Sequence, residues 1–259
     1  MTNRIDFSAN ASVYDIRHGA LLPESVARTL TAQLSSGARI LDVGAGTGRV
    51  SIALARLGFD VIAIEPALGM LQALRKKAGA LSLGCIAAEG AKLPLQGRSA
   101  EALVISRVLY LVPDWRELLR AGSTLLADHG LILHEWGNGV AQEEWVRIRE
   151  KARALFDEAG VRNPFHPGAR TEQDVDQHLG ELGFRRRERV GAGAGAKMSL
   201  SDFISKIESG EVSYIWSVPK KVRDECLPRL RTWAATQFDL RRQMPIPLKL
   251  EWSVFEPAG

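Results

Sequence analysis

Apolar and polar positions along the first half of the chain switch repeatedly between two periods. From Pro23 to Leu34 apolar residues recur at helical spacing and predict an amphipathic helix. Arg39 to Val43 is a short apolar run ending in glycine-rich sequence, the pattern of a buried strand. Helical spacing returns over Arg49 to Leu57, a β-rich run over Phe59 to Ile64, and a helix over Gly69 to Ala78 whose basic last turn suits the helix dipole. Leu83 to Ala87, Ala102 to Ser106 and Leu131 to Glu135 read as further strands, with a helix over Trp115 to Leu126. Strands alternating with helices predict a parallel sheet covered on both faces and joined by right-handed crossovers.

After Gly137 the rhythm changes. Gln142 to Glu158 is a long, charged helical segment with Trp145, Ile148 and Leu155 on its apolar side. Thr171 opens another helix, with Asp174 as its capping partner. A strand is expected over Arg185 to Val190, a short flexible link over Gly191 to Ala196, a helix start at Ser199 to Asp202, and a helix within Pro219 to Phe238. Leu248 to Phe255 alternates as a final strand. The predicted class is α/β: a Rossmann-like, doubly wound, mostly parallel seven-stranded sheet with a helical insertion after the fifth strand. The expected divisions are a core with an N-terminal helical cover over 1–139, a mainly helical insertion over 140–217, and a helix and strand completing the sheet over 218–259.

Composition narrows the setting. A chain of 259 residues, 46% hydrophobic, suits one large domain or one with a substantial insertion. No stretch approaches the ~18 consecutive apolar residues of a membrane span, and the polar N-terminus lacks a signal-peptide core, so a cytoplasmic protein is expected. Cys85 and Cys226 lie far apart without neighbouring ligand types, which argues against a zinc site or disulfide framework. The net charge is +4, and Arg185–Arg187 and Arg241–Arg242 are local clusters rather than a long stripe, which suits a solvated surface better than a nucleic-acid footprint.

The chemistry concentrates at the first strand-turn-helix. Gly44, Gly46 and Gly48 allow a sharp turn and close approach of a ligand, with Ala45 between them. The following helix is expected to offer unsatisfied amides to an anionic group. A dinucleotide fingerprint, G-x-G-x-x-G, would need glycine at 49, where Arg49 stands. Asp42, two residues before the first glycine, would repel a pyrophosphate but can accept hydrogen bonds from the turn or a cofactor ammonium. This combination favours S-adenosyl-L-methionine (SAM) over a nicotinamide dinucleotide. Glu65 ends the second strand at the distance expected of a carboxylate that accepts from ribose hydroxyls. Glu89, with Gly90 just past the third strand, is placed to accept from an adenine amino group.

The series ILDVGAGTGRVSIALARLGFDVIAIEPALGML, AAEGAKLPL and ALVISRVLYLVPDW resembles class I SAM-dependent methyltransferases. The style is that of the ubiquinone/menaquinone-biosynthesis subgroup and of many small-molecule methyltransferases, over about residues 38 to 136. The resemblance implies that Gly44 to Gly48 line the methionine part of SAM, Glu65 binds its ribose and Met70 packs on adenine. It also implies that Glu89 replaces the family's usual Asp, that Ser106 and Arg107 border the reactive methyl, and that Tyr14 covers the cofactor.

A general base is needed only if the acceptor arrives protonated. Glu135 at the end of the fifth strand and His166 on a loop are the candidates, whereas His134 should point to the opposite face of the sheet. Tyr110 and Trp136 follow strands four and five and are expected to line an acceptor pocket. The leading expectation is methyl transfer to a small-molecule acceptor at O, N or C, with no metal and no membrane. An RNA or nucleotide methyltransferase and a non-catalytic SAM-binding module are the alternatives. Ser106-Arg107-Val108-Leu109 lacks the Asp/Asn-Pro-Pro-aromatic motif of enzymes that methylate exocyclic base amines.

Overall fold

The computed structural model describes residues 6–12, 14, 20–95, 97–137, 143–161, 167–192, 196–212, 215–246 and 250–259. Two compact units divide the chain: one holds Phe7–Gly137, His166–Ala192 and Leu250–Gly259, the other Met1–Asp6, Asn138–Phe165 and Gly193–Lys249.

The first unit is built on a seven-stranded sheet. Its strands are β1 (Arg39–Val43), β2 (Asp60–Ile64), β3 (Gly84–Ile86), β4 (Ala100–Ser106), β5 (Leu126–Glu135), β6 (Phe184–Ala192) and, last in the chain, β9 (Leu250–Pro257). Their spatial order is β3-β2-β1-β4-β5-β9-β6. The first five pair in parallel, and β9 lies antiparallel between β5 and β6. This is the doubly wound, mostly parallel sheet expected from the sequence. Five helices belong to the same unit: α1 (Glu24–Leu30), α2 (Ser51–Arg56), α3 (Leu68–Ala78), α4 (Trp115–Ser123) and α6 (Glu172–Glu181).

The period of two along each strand decides which helices cover which face. Leu41, Val43, Leu103, Ile105, Ile132 and Phe255 pack in one core with Trp115 and Leu118 of α4 and Val175 and Leu179 of α6. Their strand neighbours Ile40, Val104, Leu133 and Val254 pack in another with Val26 and Leu30 of α1 and Val50 and Leu54 beside or within α2. Each such side chain taken from water is worth about 1.5–3 kcal/mol. Asp42, Ser106 and Glu135 share the parity of the second set, so they point to the α2 face at the carboxyl ends of three adjacent strands.

β5 starts five residues before the expected Leu131, because a register shift between Ala100 and Ala102 lets Leu126 pair first and leaves an irregular stretch between. Thr171 caps α6 with a full capping box: its hydroxyl accepts from the Asp174 amide at 3.1 Å, and the Asp174 carboxylate accepts from the Thr171 amide at 2.9 Å. The Arg185–Arg187 cluster is absorbed by the sheet edge. Arg185 pairs with Glu256 at 2.7 Å, Arg186 with Asp176, and Arg187 with Glu188 and Glu256.

The second unit contains α5 (Glu143–Glu158), α7 (Leu200–Glu208), α8 (Lys220–Gln237) and a ribbon of β7 (Ala196–Ser199) with β8 (Gln243–Ile246). Its core joins Ile148, Leu155 and Phe156 of α5 to Ile204 and Ile207 of α7 and Cys226 and Leu230 of α8. Ser199 caps α7, accepting from the Asp202 amide at 3.0 Å. The helix expected to accompany the last strand, α8, therefore packs with α5 and α7, whereas residues 167–192, grouped by sequence with the insertion, lie in the sheet unit through β6. Both cysteines are free thiols. Among the described residues no helix is long and apolar enough to cross a membrane, and no cluster could hold a metal ion.

Candidate functional site

The turn leaving β1 needs glycine at three positions for two different reasons. At Gly44 a Cβ would lie 2.1 Å from Val108 Cγ2, and at Gly48 it would lie 2.7 Å from Leu74 Cγ, so both are demanded by close packing. At Gly46 the nearest atom to a Cβ would be Tyr14 Cε1 at 3.8 Å, an ordinary contact, and only the backbone φ of +55° favours glycine.

The turn is closed internally. The Gly44 and Ala45 amides donate to the Ile64 carbonyl at 2.8 and 3.1 Å, and the Gly48 amide donates to the Ala45 carbonyl at 2.9 Å. The Gly46 amide donates to Glu65 Oε2 at 3.0 Å, and the Ala67 amide donates to Glu65 Oε1 at 2.9 Å. These contacts engage the Gly44, Ala45, Gly46 and Gly48 amides within the turn, and α2 begins at Ser51. The cationic side chain of Arg49 also offers donors beside this turn.

Glu65 is buried, and that burial pushes its carboxyl above the ordinary carboxylate range, against the two amide bonds that pull it down. Each carboxylate oxygen has a second lone pair, so both can still accept. Asp42 is 1% exposed and accepts from the Ser51 hydroxyl. Burial raises its pKa to about 6, opposed by the Ser51 bond and the Arg49 charge.

Across the turn, Arg49 extends from two residues before α2 toward the ends of β4 and β5. Its Nη2 donates to Ser106 Oγ at 2.9 Å and to Glu135 Oε2. Ser106 and Glu135 are register partners, and the Ser106 hydroxyl donates to Glu135 Oε2 at 2.7 Å. Arg107 approaches the other oxygen, with Nη2 and Nε 2.9 and 3.1 Å from Glu135 Oε1. Tyr14 stands beside both arginines; burial raises its phenol pKa, and the Arg107 and Arg49 charges oppose that rise. A cavity lined by Tyr14, Asp42, Gly44, Thr47, Arg49 and Ser106 opens here, at the carboxyl edge where open α/β sheets place ligands. A larger cavity of about 530 Å³, lined by Gln33, Glu101, Asp128 and His129 among others, lies near the start of β4 and includes none of these groups.

Against this geometry stand three comparisons. A family model described as "Methyltransferase domain" matches residues 41–134, from β1 to the penultimate residue of β5. Methyltransferases of Mycobacterium bovis and Mycobacterium tuberculosis, named as uncharacterized, are 24% identical over 243 residues, covering 90% of this chain and 86% of theirs. A demethylmenaquinone methyltransferase of Clavibacter sepedonicus is 39% identical over 100 residues, 37% of this chain and 41% of that protein. A crystal structure of a methyltransferase-assigned protein from Bacillus halodurans shares the fold with a TM-score of 0.60 at 14% identity, covering 91% of this chain and 99% of that one. The chain carries a SAM-dependent methyltransferase domain over residues 41–134.

In this methyltransferase the expected cofactor residues do not all sit alike. Tyr14, Asp42, Gly44, Ala45, Ser106 and Arg107 line the same cavity. Gly46 and Glu65 join it through their mutual hydrogen bond, and Gly48 faces Leu74 and Ile52 in the packing behind the turn. Met70 is 1% exposed within α3, while Leu68 on the same helix is 60% exposed. Glu89 is exposed past β3, and Gly90 is a packing glycine whose Cβ would fall 2.5 Å from Leu118 Cδ1.

The acceptor-side expectations also separate. Tyr110 and Trp136 meet edge-to-face with centroids 5.7 Å apart, and burial pushes the Tyr110 phenol well up. His166 lies outside the described residues. Glu135 is 1% exposed with both oxygens engaged by Arg49, Ser106 and Arg107, so its geometry is that of an anchor and not of a base reaching for an acceptor proton. His134 points to the opposite face, as strand alternation requires, and burial lowers its pKa to about 3.

Four features escape sequence reading. Arg49 is the residue that breaks the dinucleotide fingerprint, and that departure was its only signal. Ser51 as the partner of Asp42, and Lys77 donating to Thr47 Oγ1 at 3.1 Å, follow from the fold with no motif of their own. The N-terminal segment packs on α3 at Gly69, whose amide donates to Ser8 Oγ at 3.2 Å.

Proposed function

We propose that this methyltransferase transfers the SAM methyl group to a small-molecule acceptor, with the turn at Gly44–Gly48 and Glu65 as the cofactor seat. The observation that carries the reading is the pair of hydrogen bonds from Gly46 and Ala67 to Glu65, at 3.0 and 2.9 Å. They fix a buried carboxylate beside the turn with acceptor capacity left on each oxygen, as two ribose hydroxyls require. Tyr14 covers the turn at Gly46, and Arg49 takes the cofactor carboxylate beside the turn. Met70 and Glu89 flank the adenine end in this reading.

SAM supplies a methyl group already activated on a sulfonium. The chain's own work is alignment of acceptor and methyl, which can contribute about 7–11 kcal/mol at best. Ser106, Arg107, Tyr110 and Trp136 follow the ends of β4 and β5 and make up the acceptor side. Glu135 is a positioning residue that holds Arg49, Ser106 and Arg107. The ion-paired Arg185–Arg187 edge supports a small-molecule acceptor over a nucleic acid, since its guanidinium groups are committed within the sheet unit.

The test is incubation of the protein with methyl-labelled SAM and a fractionated metabolite extract. Label is expected in a low-molecular-weight product and S-adenosylhomocysteine (SAH) in equal amount. Label transferred to RNA alone, or SAH formation absent while SAM binds, would overturn the reading in favour of its two alternatives.

A further inference from the structure

Arg107 is held in place at evident conformational cost. Its φ is +59°, a left-handed conformation that costs a non-glycine residue on the order of 1–2 kcal/mol. The Arg107 amide donates to the Glu135 carbonyl at 2.8 Å, fixing that turn of the chain. Gly137 makes room for the side chain, because a Cβ there would lie 2.2 Å from Arg107 Cγ. Glu135 then receives Nε and Nη2 on a single oxygen. Strain kept in a site by several independent supports points to function.

The supports leave donors over. Among the described residues, Nη1 of Arg107, like Nε and Nη1 of Arg49, donates to no acceptor, and the two side chains are 27% and 13% exposed. One carboxylate, Glu135, serves two guanidinium groups. Among the described residues the other two carboxylates at the site face elsewhere, Asp42 toward Ser51 and Glu65 toward the Gly46 and Ala67 amides. Arg49 lies beside the glycine turn, on the cofactor side. Arg107 follows β4, on the acceptor side, with its side chain 27% exposed.

We propose that Arg107, held by Glu135 and Gly137, binds an oxyanion of the methyl acceptor, so that the preferred acceptors are small molecules carrying a carboxylate. The inference rests on the SAM reading of the cavity and names the acceptor class for it. A guanidinium that retains free donors pairs with a carboxylate through charge-assisted hydrogen bonds, and a cationic acceptor would be repelled. Placing that anion at Arg107 fixes the acceptor relative to the methyl group and offsets the positive charge of the sulfonium nearby.

The experiment is calorimetric titration of the SAH-saturated protein with benzoate and with its neutral isostere benzamide, repeated on Arg107→Gln, Arg49→Gln and Gly137→Ala. Benzoate is expected to bind the wild type at least about tenfold more tightly than benzamide, a difference of about 1.4 kcal/mol. Arg107→Gln should erase that preference and weaken SAH less than it weakens benzoate, whereas Arg49→Gln should weaken SAH itself. Gly137→Ala keeps both charges and should lower the benzoate preference by displacing Arg107. Equal affinity for benzoate and benzamide in the wild type overturns the proposal. So does an Arg107→Gln protein that loses SAH as strongly as benzoate, since the oxyanion would then be the cofactor's own. Failure of the wild type to bind SAH would instead overturn the SAM reading.

Discussion

The Gly46 amide donates to Glu65 Oε2 at 3.0 Å, tying the glycine turn to the end of β2 across 19 residues of sequence. Two features each legible in the sequence thus become one structural unit. The carboxylate orders the turn, and the turn limits how the carboxylate can move.

The glycines of the turn are expected to respond differently to substitution. Gly46→Ala places a methyl 3.8 Å from Tyr14 in a left-handed backbone, so it should cost stability only on the order of 1–2 kcal/mol while weakening SAH binding. Gly48→Ala drives a methyl to 2.7 Å from Leu74 and should lower the melting temperature more. Thermal melts and SAH titrations of both variants check this; a larger loss of stability at Gly46 would contradict it.

Glu135→Ala should be severe, because this carboxylate holds Arg49, Ser106 and Arg107. Removing it leaves Arg49 and Arg107 facing each other in a largely buried setting, a loss of about 3–5 kcal/mol by comparison with other broken buried pairs. Denaturant unfolding measures that loss. Once an acceptor is known, Glu135→Gln should lower turnover without moving the pH–rate profile, as a positioning role for this carboxylate requires. A displaced profile would restore Glu135 as the base.

Asp42 makes a signed prediction about pH. Its folded pKa of about 6 lies above the ordinary 3.8, so the folded state binds the extra proton and stability falls as pH rises through that window. Asp42→Asn removes the effect. The stability of the variant relative to wild type should therefore climb between pH 4 and pH 7 by at most about 3 kcal/mol, to be read from unfolding curves across that range. A constant difference would show that Asp42 is not held in this way.

His134 acts with the opposite sign. Burial, followed by the charges of Arg186 and Arg189, lowers its pKa from 6.5 to about 3. Its contribution is complete above pH 6.5 and is lost as pH falls toward 3, because the unfolded chain takes up the proton first. His134→Leu should therefore flatten the acid limb of stability by no more than about 5 kcal/mol. An unchanged acid limb would contradict the assignment.

How much of this was written in the sequence depends on the length of the signal. Strands β1, β2 and β4 were legible because apolar runs end at glycine or at a polar edge. Thr171 and Asp174 declared the start of α6 by local chemistry alone. The ribbon of β7 and β8 was not legible: each strand has four residues, the two are separated by α7 and α8, and β8 contains Pro245. The cofactor side of the site could be read as motif, since turn and carboxylate belong to one strand-helix-strand unit. The roles of Arg49 and Glu135 could not, because Arg49 reaches Glu135 across 86 residues and only the register of β1, β4 and β5 brings them together.

The central claim is that Glu65 and the glycine turn hold the cofactor. Calorimetric titration of SAH into the wild type and Glu65→Ala, with far-UV circular dichroism to verify folding, tests it most directly. One equivalent of SAH should bind the wild type, and Glu65→Ala should bind at least about tenfold more weakly with its fold preserved. Equal affinity in a folded Glu65→Ala protein would contradict the account.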